Sequence, residues 1–380
     1  MSAGSGWPVA RWGDVLEIRN GRNQKEVEDA NGAYPIYGSG GVMGRANNYI
    51  CEAQTTIIGR KGSISSPLFV EEPFWNVDTA FGLHALDELD PRFLYYFCQH
   101  YDFWQHNRGT TIPSLVKSEL LEIRMPHPPL PEQQRIVTKL DAAFGALREA
   151  EGHVERNRAN ARELFESYLN GTHQGNSPKW IDTRVGDEVE IFTGFPFKSD
   201  RYTEVENDIR LLRGDNIIPG EFRWEGVKRW PAGDVKEYGA YWLDEGDVVI
   251  AMDRTWIKSG LKYAIVTKAD MPSLLVQRVA RLRCKPSLDK RYLGYLIASR
   301  DFATYVLSVQ TGTGVPHISG GQIAAFEFRC PPIEEQRLIA EKLDALKAAT
   351  KQLEATYQQK LRELEGLKKG LLGAAFRGEL

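Results

Sequence analysis

Short loops rich in glycine, arginine, lysine, threonine and tryptophan carry the residues of this chain with the clearest chemical potential. Glycine lets a backbone approach a phosphate group closely and offer it an N–H group, while lysine and hydroxyl side chains help to position the phosphate. Arginine, asparagine and glutamine can make the paired hydrogen bonds that distinguish one base from another. An ordinary surface turn explains any one such loop equally well, but the loops recur at corresponding places in two halves of the chain. They lie at residues 38–45, 59–63 and 108–111, and again at 213–216, 253–258 and 310–314.

The composition of these loops predicts a surface that binds DNA. Because arginine pairs with guanine, replacing Arg60 or Arg254 is expected to weaken binding by about 1–3 kcal/mol if either side chain reads that base. The side chains predicted to contact DNA are Arg45, Arg60, Lys61, Ser63, Arg108, Thr110, Thr111, Arg213, Asn216, Arg254, Thr255, Trp256, Lys258, Thr311, Thr313 and His317.

Sequence signatures of catalysis are absent from the chain. There is no G-x-x-x-x-G-K-[ST] phosphate loop, no H-E-x-x-H, no G-x-S-x-G, and neither the F-x-G-x-G nor the [ND]-P-P-[YF] motif of adenine methyltransferases. Asp14 with Glu17, and Asp187 with Glu190, could form an acid–base pair by spacing alone. Hydrogen bonding at a turn or helix start explains them better, since each pair follows a glycine. The seven histidines show no metal-ligand spacing, so the sequence predicts no catalytic residue and no metal site.

The overall composition is that of a folded protein with two or three domains. The chain has 380 residues, 48 basic and 51 acidic side chains, and a hydrophobic fraction of 42%. A net charge of −3 argues against a generally basic nucleic-acid coat but leaves local basic loops possible. The longest apolar stretches are far short of the ~20 residues that a membrane span needs. With no leader-like N-terminus and four widely spaced cysteines, we expect a cytoplasmic protein with no membrane contact.

An internal repeat sets the architecture. Residues 7–21 (WPVARWGDVLEIRNG) correspond to residues 180–194 (WIDTRVGDEVEIFTG) at an offset of 173. Residues 109–113 (GTTIP) correspond to 312–316 (GTGVP), and PLPEQQRIVTKLDA from Pro129 corresponds to PIEEQRLIAEKLDA from Pro332, both at an offset of 203. The chain is therefore read as a tandem duplication, whose second copy carries about 30 extra residues between its first two matched blocks.

Each copy combines short strands with helices, which predicts an α+β fold. The clearest strand candidates are 55–58, 248–252 and 279–282, and the clearest short helices are 91–104 and 292–307. Each copy then ends in a long helix, beginning after Pro131 in the first and after Pro332 in the second. Apolar residues at alternating spacings of four and three residues run along both helices and are typical of a coiled coil. The seam residues predicted for these spacer and partner-binding helices include Leu140, Leu147, Val154, Leu164, Leu343, Leu346, Leu353, Leu364 and Leu371.

The two long helices are expected to pair with each other, antiparallel, within one chain. A helix from Glu132 to Asn170 would be about 58 Å long at about 1.5 Å per residue, and its seam must be buried. Pairing with another copy of the chain would also bury it. The intramolecular arrangement is favoured because both helices belong to the same duplication, and it would make them a rigid spacer between the two globules.

The chain resembles the specificity (S, HsdS) subunits of type I restriction-modification systems. The resemblance covers essentially the whole chain and rests on the two variable globules, the repeated G-T-x-[IV]-P block and the repeated helix start. It implies two target recognition domains, at 1–131 and 175–333, separated by two antiparallel coiled-coil helices, at 132–174 and 334–380, with pseudo-twofold symmetry. It also implies that Gly109–Pro113 and Gly312–Pro316 lie near the DNA side of these domains.

The same resemblance implies the partners and the cofactors. Each recognition domain would read one half of an asymmetric bipartite target in double-stranded DNA, while the helices set the gap and dock two methyltransferase (M, HsdM) subunits. Restriction (R, HsdR) subunits would complete the system. S-adenosylmethionine, ATP and Mg are expected on those partners, and no cofactor is expected on this chain. Half-sites read from one face of B-DNA should lie about 34–36 Å apart.

Three other hypotheses remain at this point. The chain could serve as the specificity subunit of a type IIB-like or phage-defence system with other catalytic partners. It could be an enzyme with unrecognised motifs, which methylation by the chain alone would reveal. It could be a coiled-coil adaptor that binds only proteins, which sequence-dependent DNA binding would exclude.

Overall fold

The computed structural model describes residues 6–172, 175, 177–312 and 314–380. Packing divides the chain into two compact units, the first formed by Met1–Arg156 with Thr356–Leu380 and the second by Asn157–Ala355. The division cuts through two long helices, Leu130–Gly171 and Ile333–Arg377. Each unit thus holds one globule and a part of both helices, whereas the predicted four-segment division remains a prediction. Among the described residues, no helix is both long and apolar enough to cross a bilayer.

The globule of the first unit contains two main sheets, and the helix Pro91–His100 packs against the four-stranded one. The antiparallel four-stranded sheet has the order Leu16–Asn20, Ala80–Ala85, Thr55–Gly59, Leu68–Val70. The three-stranded sheet has the order Gly41–Ala46, Tyr34–Gly38, Trp75–Asn76, and its last pair is parallel. Val9–Arg11 pairs with Arg124–Pro126. The helices are Trp12–Val15, Pro91–His100 and Lys117–Leu120, with a 3-10 turn at Phe103–His106.

The globule of the second unit repeats this plan with additional short elements. Its four-stranded sheet has the order Val189–Thr193, Val279–Cys284, Val248–Ala251, Tyr263–Ile265, and its three-stranded sheet has Arg229–Trp230, Ile209–Leu212, Ser273–Leu275. The two-stranded pairs are Ile181–Arg184 with Glu327–Cys330, Ile217–Ile218 with Glu221–Phe222, and Trp256–Ile257 with Gly260–Leu261. The helices are Val185–Glu188, Lys290–Ala298, Arg300–Val309 and Gly320–Ala324. The 3-10 turns are Ser199–Arg201, Gly214–Asn216, Ala232–Asp234, Lys236–Tyr241 and Lys268–Asp270. The predicted α+β class and the three predicted strands are confirmed.

Strand register shows that the duplication is a duplication of structure. Corresponding strand pairs are Leu16 with Ala85 and Val189 with Cys284, then Ile58 with Phe81 and Ile250 with Ala280. The offset between equivalent residues thus grows from 173 to 192 and 199 along the sheet, before it reaches 203 at the long helices. Gly21 and Gly194 are equivalent, and a Cβ on either would meet the backbone carbonyl oxygen of Val77 at 1.8 Å or of Val276 at 2.2 Å. The repeated glycine is therefore required by a close backbone approach.

A buried glutamine fixes the start of each long helix to its globule. Gln133 is fully buried; its side-chain oxygen accepts from the Asp90 N–H at 2.8 Å, and its NH₂ group donates to the carbonyls of Glu88 and Pro128. Gln336 repeats this arrangement in the second unit, with Asp289, Ser287 and Pro331 as its partners. Each glutamine satisfies three backbone groups that would otherwise be buried without partners. The repeated E-Q sequence is thus a docking device for the helix.

A second repeated contact follows eight residues, or about two turns, further along each helix. Asp141 accepts hydrogen bonds from the Tyr96 hydroxyl and, at 2.6 Å, from the Arg92 guanidinium. In the second unit, Asp344 accepts from Tyr295 at 2.7 Å and from Arg291 at 3.0 Å. The aspartate of the repeated K-L-D-A sequence therefore ties each long helix to a short helix of the same globule, Pro91–His100 in the first unit and Lys290–Ala298 in the second.

The long helices pair antiparallel in both units, as the sequence predicts. In the first unit, the Lys368 ammonium lies 5.4 Å from the Phe144 ring centroid, and Arg135 donates to the Leu380 carbonyl at 2.6 Å. In the second unit, Arg162 forms an ion pair with Glu354. Leu169 packs there in one cluster with Ala340 and Leu343. As the residue number rises from 162 to 169 on one helix, the number of its partner falls from 354 to about 340 on the other, so the helices are antiparallel. The predicted intramolecular pairing is confirmed.

The predicted seam is only partly correct. Leu140, Leu147 and Leu343 are buried, and Val154, Leu346, Leu364 and Leu371 are half-buried, but Leu164 is 62% exposed and Leu353 is 44% exposed. The next residue along each helix faces the partner helix instead. Phe165 packs with Leu169, and Glu354 pairs with Arg162. An α-helix has 3.6 residues per turn, so a strict 3.5-residue repeat drifts round its surface over several turns. Leu164 and Leu353 therefore do not lie in the buried seam predicted for them, and at Leu164 the drift has moved the contact face to Phe165. Their role in binding a partner stays a prediction.

Two predicted short helices also differ from the structure. The segment 292–307 forms two helices, Lys290–Ala298 and Arg300–Val309, broken at the buried and extended Ser299. The Ser299 hydroxyl accepts from the Phe302 N–H at 3.3 Å and thus caps the second of them. The segment 91–104 ends as a helix at His100, where a 3-10 turn capped by Asp102 follows.

Candidate nucleic-acid interface

Three loops of the first unit meet at one surface. The Gly62 N–H donates to the Pro113 carbonyl at 2.9 Å, and the Leu115 N–H donates to the Arg60 carbonyl at 2.9 Å. The Ser39 hydroxyl donates to the Lys61 carbonyl at 3.4 Å. Backbone hydrogen bonds therefore bring together the three loops that the sequence singles out in this half.

The repeated G-T-x-[IV]-P block forms a fixed turn with an exposed tip. The Asn107 side chain accepts from the N–H groups of Gly109 and Ser114, both at 2.9 Å. A Cβ on Gly109 would meet the Ile112 carbonyl oxygen at 1.7 Å, and one on the equivalent Gly312 would meet the Val315 carbonyl oxygen at 2.5 Å. Ile112 is 60% exposed and Val315 is 44% exposed. Each turn thus presents one branched apolar side chain, and the turn of the first unit also presents the exposed hydroxyls of Thr110 and Thr111.

The candidate side chains of the first unit differ in how free they are. Lys61, Ser63, Thr110 and Thr111 are exposed. Arg60 is half-buried, with its guanidinium 5.7 Å from the Phe81 ring centroid and a 3.4 Å hydrogen bond to the Asp78 carbonyl.

Two further arginines of this unit are already engaged. Arg45 donates to the carbonyls of Gly32 and Ala33 at 2.6 and 2.8 Å, so its guanidinium is used within its own hairpin. Arg108 pairs with Glu119 at 2.9 Å and remains 66% exposed.

The second unit brings two of its three loops together in the same way. The Arg254 N–H donates to the Pro316 carbonyl at 2.8 Å, and Thr311 and His317 exchange backbone hydrogen bonds of 2.8 and 2.7 Å. The His317 ring also contacts the Asp253 carboxylate at 2.6 Å. The backbone hydrogen bond from Arg254 to Pro316 is equivalent to the one from Gly62 to Pro113 in the first unit, so Arg254 occupies the position of Gly62.

A cleft of about 370 Å³ lies beside these loops in the second unit. Four cations, Arg213, Arg254, Lys262 and Arg278, and two carboxylates, Asp215 and Asp253, line it, so its net charge attracts anions. The remaining lining residues are Tyr202, Gly214, Val276, Gln277 and Val315. The third predicted loop, 213–216, thus reaches the same surface through this cleft.

The cations of the cleft differ in their partners. Arg213 pairs with Asp215 at 3.3 Å, and Arg278 lies 3.7 Å from Asp253. Among the described residues, the Arg254 guanidinium has no hydrogen-bond or ion-pair partner. Lys262 is only 8% exposed, and burial lowers the pKa of its ammonium. An anionic or acceptor-rich ligand would restore the solvation that this ammonium has lost.

The other candidates of the second unit lie in varied surroundings. Asn216 is 8% exposed, and its amide binds the Arg213 N–H and the Arg223 carbonyl, whereas Thr255 is 1% exposed and donates to the Met252 carbonyl. Both support the loops from within. Trp256, Lys258 and Thr311 are exposed, His317 is half-buried, and Thr313 lies outside the described residues.

Sequence reasoning missed five lining residues of the cleft: Tyr202, Lys262, Val276, Gln277 and Arg278. They are scattered over 77 positions and are brought together by strand pairing, including the parallel pairing of Ile209–Leu212 with Ser273–Leu275. No sequence signal points to Arg278, because its equivalence to Thr79 becomes visible only in the strand register and hydrogen bonds of the folded chain. Within the described parts of the chain, no group of three or more His, Cys, Asp or Glu side chains is placed to hold a metal ion.

The duplicated α+β frame and the paired loop clusters define the class of protein. The model of the type I restriction modification DNA specificity domain family matches residues 4–152 and 179–363. Since these two segments make up most of the chain, the protein belongs to that family. Each matched segment contains one globule together with a part of the long helix that follows it.

Individual relatives agree with this assignment. The type I restriction enzyme MjaVIII specificity subunit of Methanocaldococcus jannaschii is 25% identical over 400 residues, which covers 98% of this chain and 93% of the relative. A solved structure from work on the assembly and conformational transition of the type I R-M system has a TM-score of 0.78 at 19% identity over 100% of both chains. The HsdS subunit from Thermoanaerobacter tengcongensis has a TM-score of 0.61 at 19% identity, over 100% of this chain and 99% of that one. The structural likenesses establish the fold.

Proposed function

We propose that this chain is the DNA-specificity subunit of a type I restriction-modification complex, in which each globule reads one half of an asymmetric bipartite target. The observation that carries the proposal is the pair of loop clusters on equivalent backbone frames, one in each globule, with different side chains at equivalent positions. Because the loops of the two globules share the same backbone hydrogen bonds, we expect both globules to dock on DNA in the same way. Because their side chains differ, we expect them to recognise different half-site sequences.

The long helices would set the gap between the half-sites and dock two methyltransferase subunits. In support, each helix is tied to its own globule by a buried glutamine and an aspartate, so its start has a fixed position on that globule. Exposed apolar side chains also remain on the helices, with Leu164, Leu338 and Leu367 at least half exposed. Single exposed apolar side chains are common on protein surfaces, so the main support for docking is the anchoring of the helices and the family to which the chain belongs.

The chain would contribute recognition and no catalysis. The methyltransferase subunits would supply S-adenosylmethionine and adenine methylation, and restriction subunits would supply ATP- and Mg-dependent cleavage. Family membership does not favour the adaptor hypothesis, or a role in a type IIB-like or phage-defence system.

A reconstitution experiment tests the proposal. Genomic DNA is incubated with S-adenosylmethionine and either this chain, the methyltransferase subunits, or both, and methylated adenines are then mapped. Methylation at one recurring motif is expected only with both components. Methylation by the chain alone would reveal an enzyme, and unchanged methylation on adding the chain would exclude a specificity role.

A further inference from the structure

Arg254 and Arg278 have backbone conformations that bulky side chains rarely adopt. Their φ angles are +47° and +67°, in the left-handed region. In the described parts of the chain, only one other non-glycine residue, Gln54, has a positive φ. Both arginines line the same cationic cleft. Such strain persists where the surrounding structure imposes it, and it clusters at functional sites.

The first globule provides an internal reference for both positions. In the first globule, the Gly62 N–H donates to the Pro113 carbonyl at 2.9 Å. In the second, the Arg254 N–H donates to the equivalent Pro316 carbonyl at 2.8 Å. Gly62 also has a positive φ, of +83°, so the frame itself imposes the left-handed conformation there. Glycine meets that requirement without strain, yet the second globule carries an arginine. The arginine side chain is thus the part of this residue that calls for an explanation.

Arg278 also has a counterpart in the first globule, but the left-handed backbone is not shared there, since Thr79 does not have a positive φ. The Met252 N–H donates to the Arg278 carbonyl and the Arg60 N–H to the Thr79 carbonyl, both at 2.8 Å. Arg278 is therefore equivalent to Thr79. Its side chain is 60% exposed, and its guanidinium lies 3.7 Å from the Asp253 carboxylate, which also binds His317. A carboxylate at that distance restrains the guanidinium and leaves most of its N–H groups free to bind a ligand.

We propose that Arg254 and Arg278 read guanines, which makes the half-site recognised by the second globule guanine-dependent in a way that the first half-site is not. The guanidinium fork matches the O6 and N7 acceptors of guanine in the major groove. Nearby, Lys262 and Arg213 add positive charge that favours the approach of the DNA backbone. The proposal rests on the proposed function, since it assigns bases within the target.

The test uses the complex of the full chain with its methyltransferase subunits. Each of Arg254→Gly and Arg278→Gly removes a side chain and also relieves the left-handed backbone, so both variants are expected to fold. Motif mapping should show discrimination at one guanine of one half-site falling on the order of 10- to 100-fold for each variant, with the other half-site unchanged. The matched control is Gln54→Gly, which relieves the same backbone conformation outside the cleft and should leave the motif unchanged.

A second measurement separates base reading from phosphate contact. Duplexes carrying 7-deazaguanine at the affected position lack the N7 acceptor and should bind the parent complex more weakly, with no further loss in the corresponding variant. Equal weakening on all sequences would indicate a phosphate contact and overturn the proposal. Unchanged motifs in both variants, or a change at a base other than guanine, would also overturn it. If the parent complex shows no sequence-dependent methylation at all, the proposed function fails instead.

Discussion

Gln133 and Gln336 show how much a single buried side chain can determine in this fold. Each lies at the first turn of a long helix and binds three backbone groups of its own unit. A glutamine has both a carbonyl and an NH₂ group, so it can serve acceptors and donors at once. Few other side chains could replace it, and this explains why the residue recurs in both copies.

Replacing Gln133 by alanine is expected to lower the free energy of unfolding by about 2–4 kcal/mol, because buried N–H and C=O groups would lose their partners. Denaturant titration of the purified chain measures the change. Gln134→Ala is the matched control, since Gln134 is the next residue in the same helix and is exposed. Equal losses of unfolding free energy in the two variants would show that the buried hydrogen bonds of Gln133 do not stabilise the fold.

Buried thiols predict a loss of stability at alkaline pH. Burial raises the pKa of the Cys51 thiol from 9.0 to about 12, and partial burial likewise raises that of the half-buried Cys284 to about 12. Below pH 9 both the folded and the unfolded forms are neutral, and the contribution to stability is complete. Above pH 9 the unfolded thiol ionises while the folded one does not. The free energy of unfolding should therefore fall between pH 9 and pH 12.

Denaturation midpoints at pH 8, 9, 10 and 11 check this prediction. The Cys51→Ala variant should show a shallower fall than the parent, whatever its stability at pH 8. A midpoint that stays constant from pH 9 to pH 11 in the parent would contradict the assignment of buried, neutral thiols.

The long helices show what a sequence pattern can and cannot predict at the level of elements. Their existence, direction and intramolecular pairing follow from the apolar repeat and the duplication. The contact face does not, because the true helical period makes the face drift and Phe165 replaces Leu164. The break at Ser299 was missed for a related reason, since a serine inside an apolar pattern can cap one helix as readily as continue another.

Substitution of seam residues tests the observed register. Leu140→Ala is expected to cost about 2–5 kcal/mol in the free energy of unfolding, because Leu140 is fully buried. Leu164→Ala should cost less than about 0.5 kcal/mol, because that side chain is 62% exposed. Denaturant titration of both variants decides the point, and a large loss at Leu164 would support the strict heptad register instead.

Lengthening both long helices by one turn tests their role as a spacer. The mapped methylation motif should keep its two half-site sequences and gain a longer gap. The control lengthens only one helix, which should disrupt the antiparallel pairing and abolish methylation. Altered half-site sequences in the doubly lengthened protein would be incompatible with a spacer.

For the molecule as a whole, the net charge of −3 takes on a more definite meaning. Residues 1–131 carry 11 basic and 15 acidic side chains, while residues 175–333 carry 22 and 21, so neither globule is basic overall. Positive potential is instead concentrated in particular places, such as the cleft with Arg254 and Lys262. The sequence identified the loops but not the cleft, because its walls come from residues that only the folded sheets bring together.

This distribution predicts that the isolated chain binds DNA weakly and with a steep dependence on salt. Tight, specific binding should require the methyltransferase subunits. Fluorescence anisotropy at several salt concentrations, with and without those subunits, measures both effects. Nanomolar specific binding by the chain alone at physiological salt would contradict the prediction.

Recognition of two separate half-sites by the two globules is tested most directly by a map of methylated adenines produced by the chain with its methyltransferase subunits. One asymmetric motif of two different half-sites is expected, separated by a fixed gap and centred about 34–36 Å apart. A single uninterrupted motif, or two half-sites of identical sequence, would contradict it.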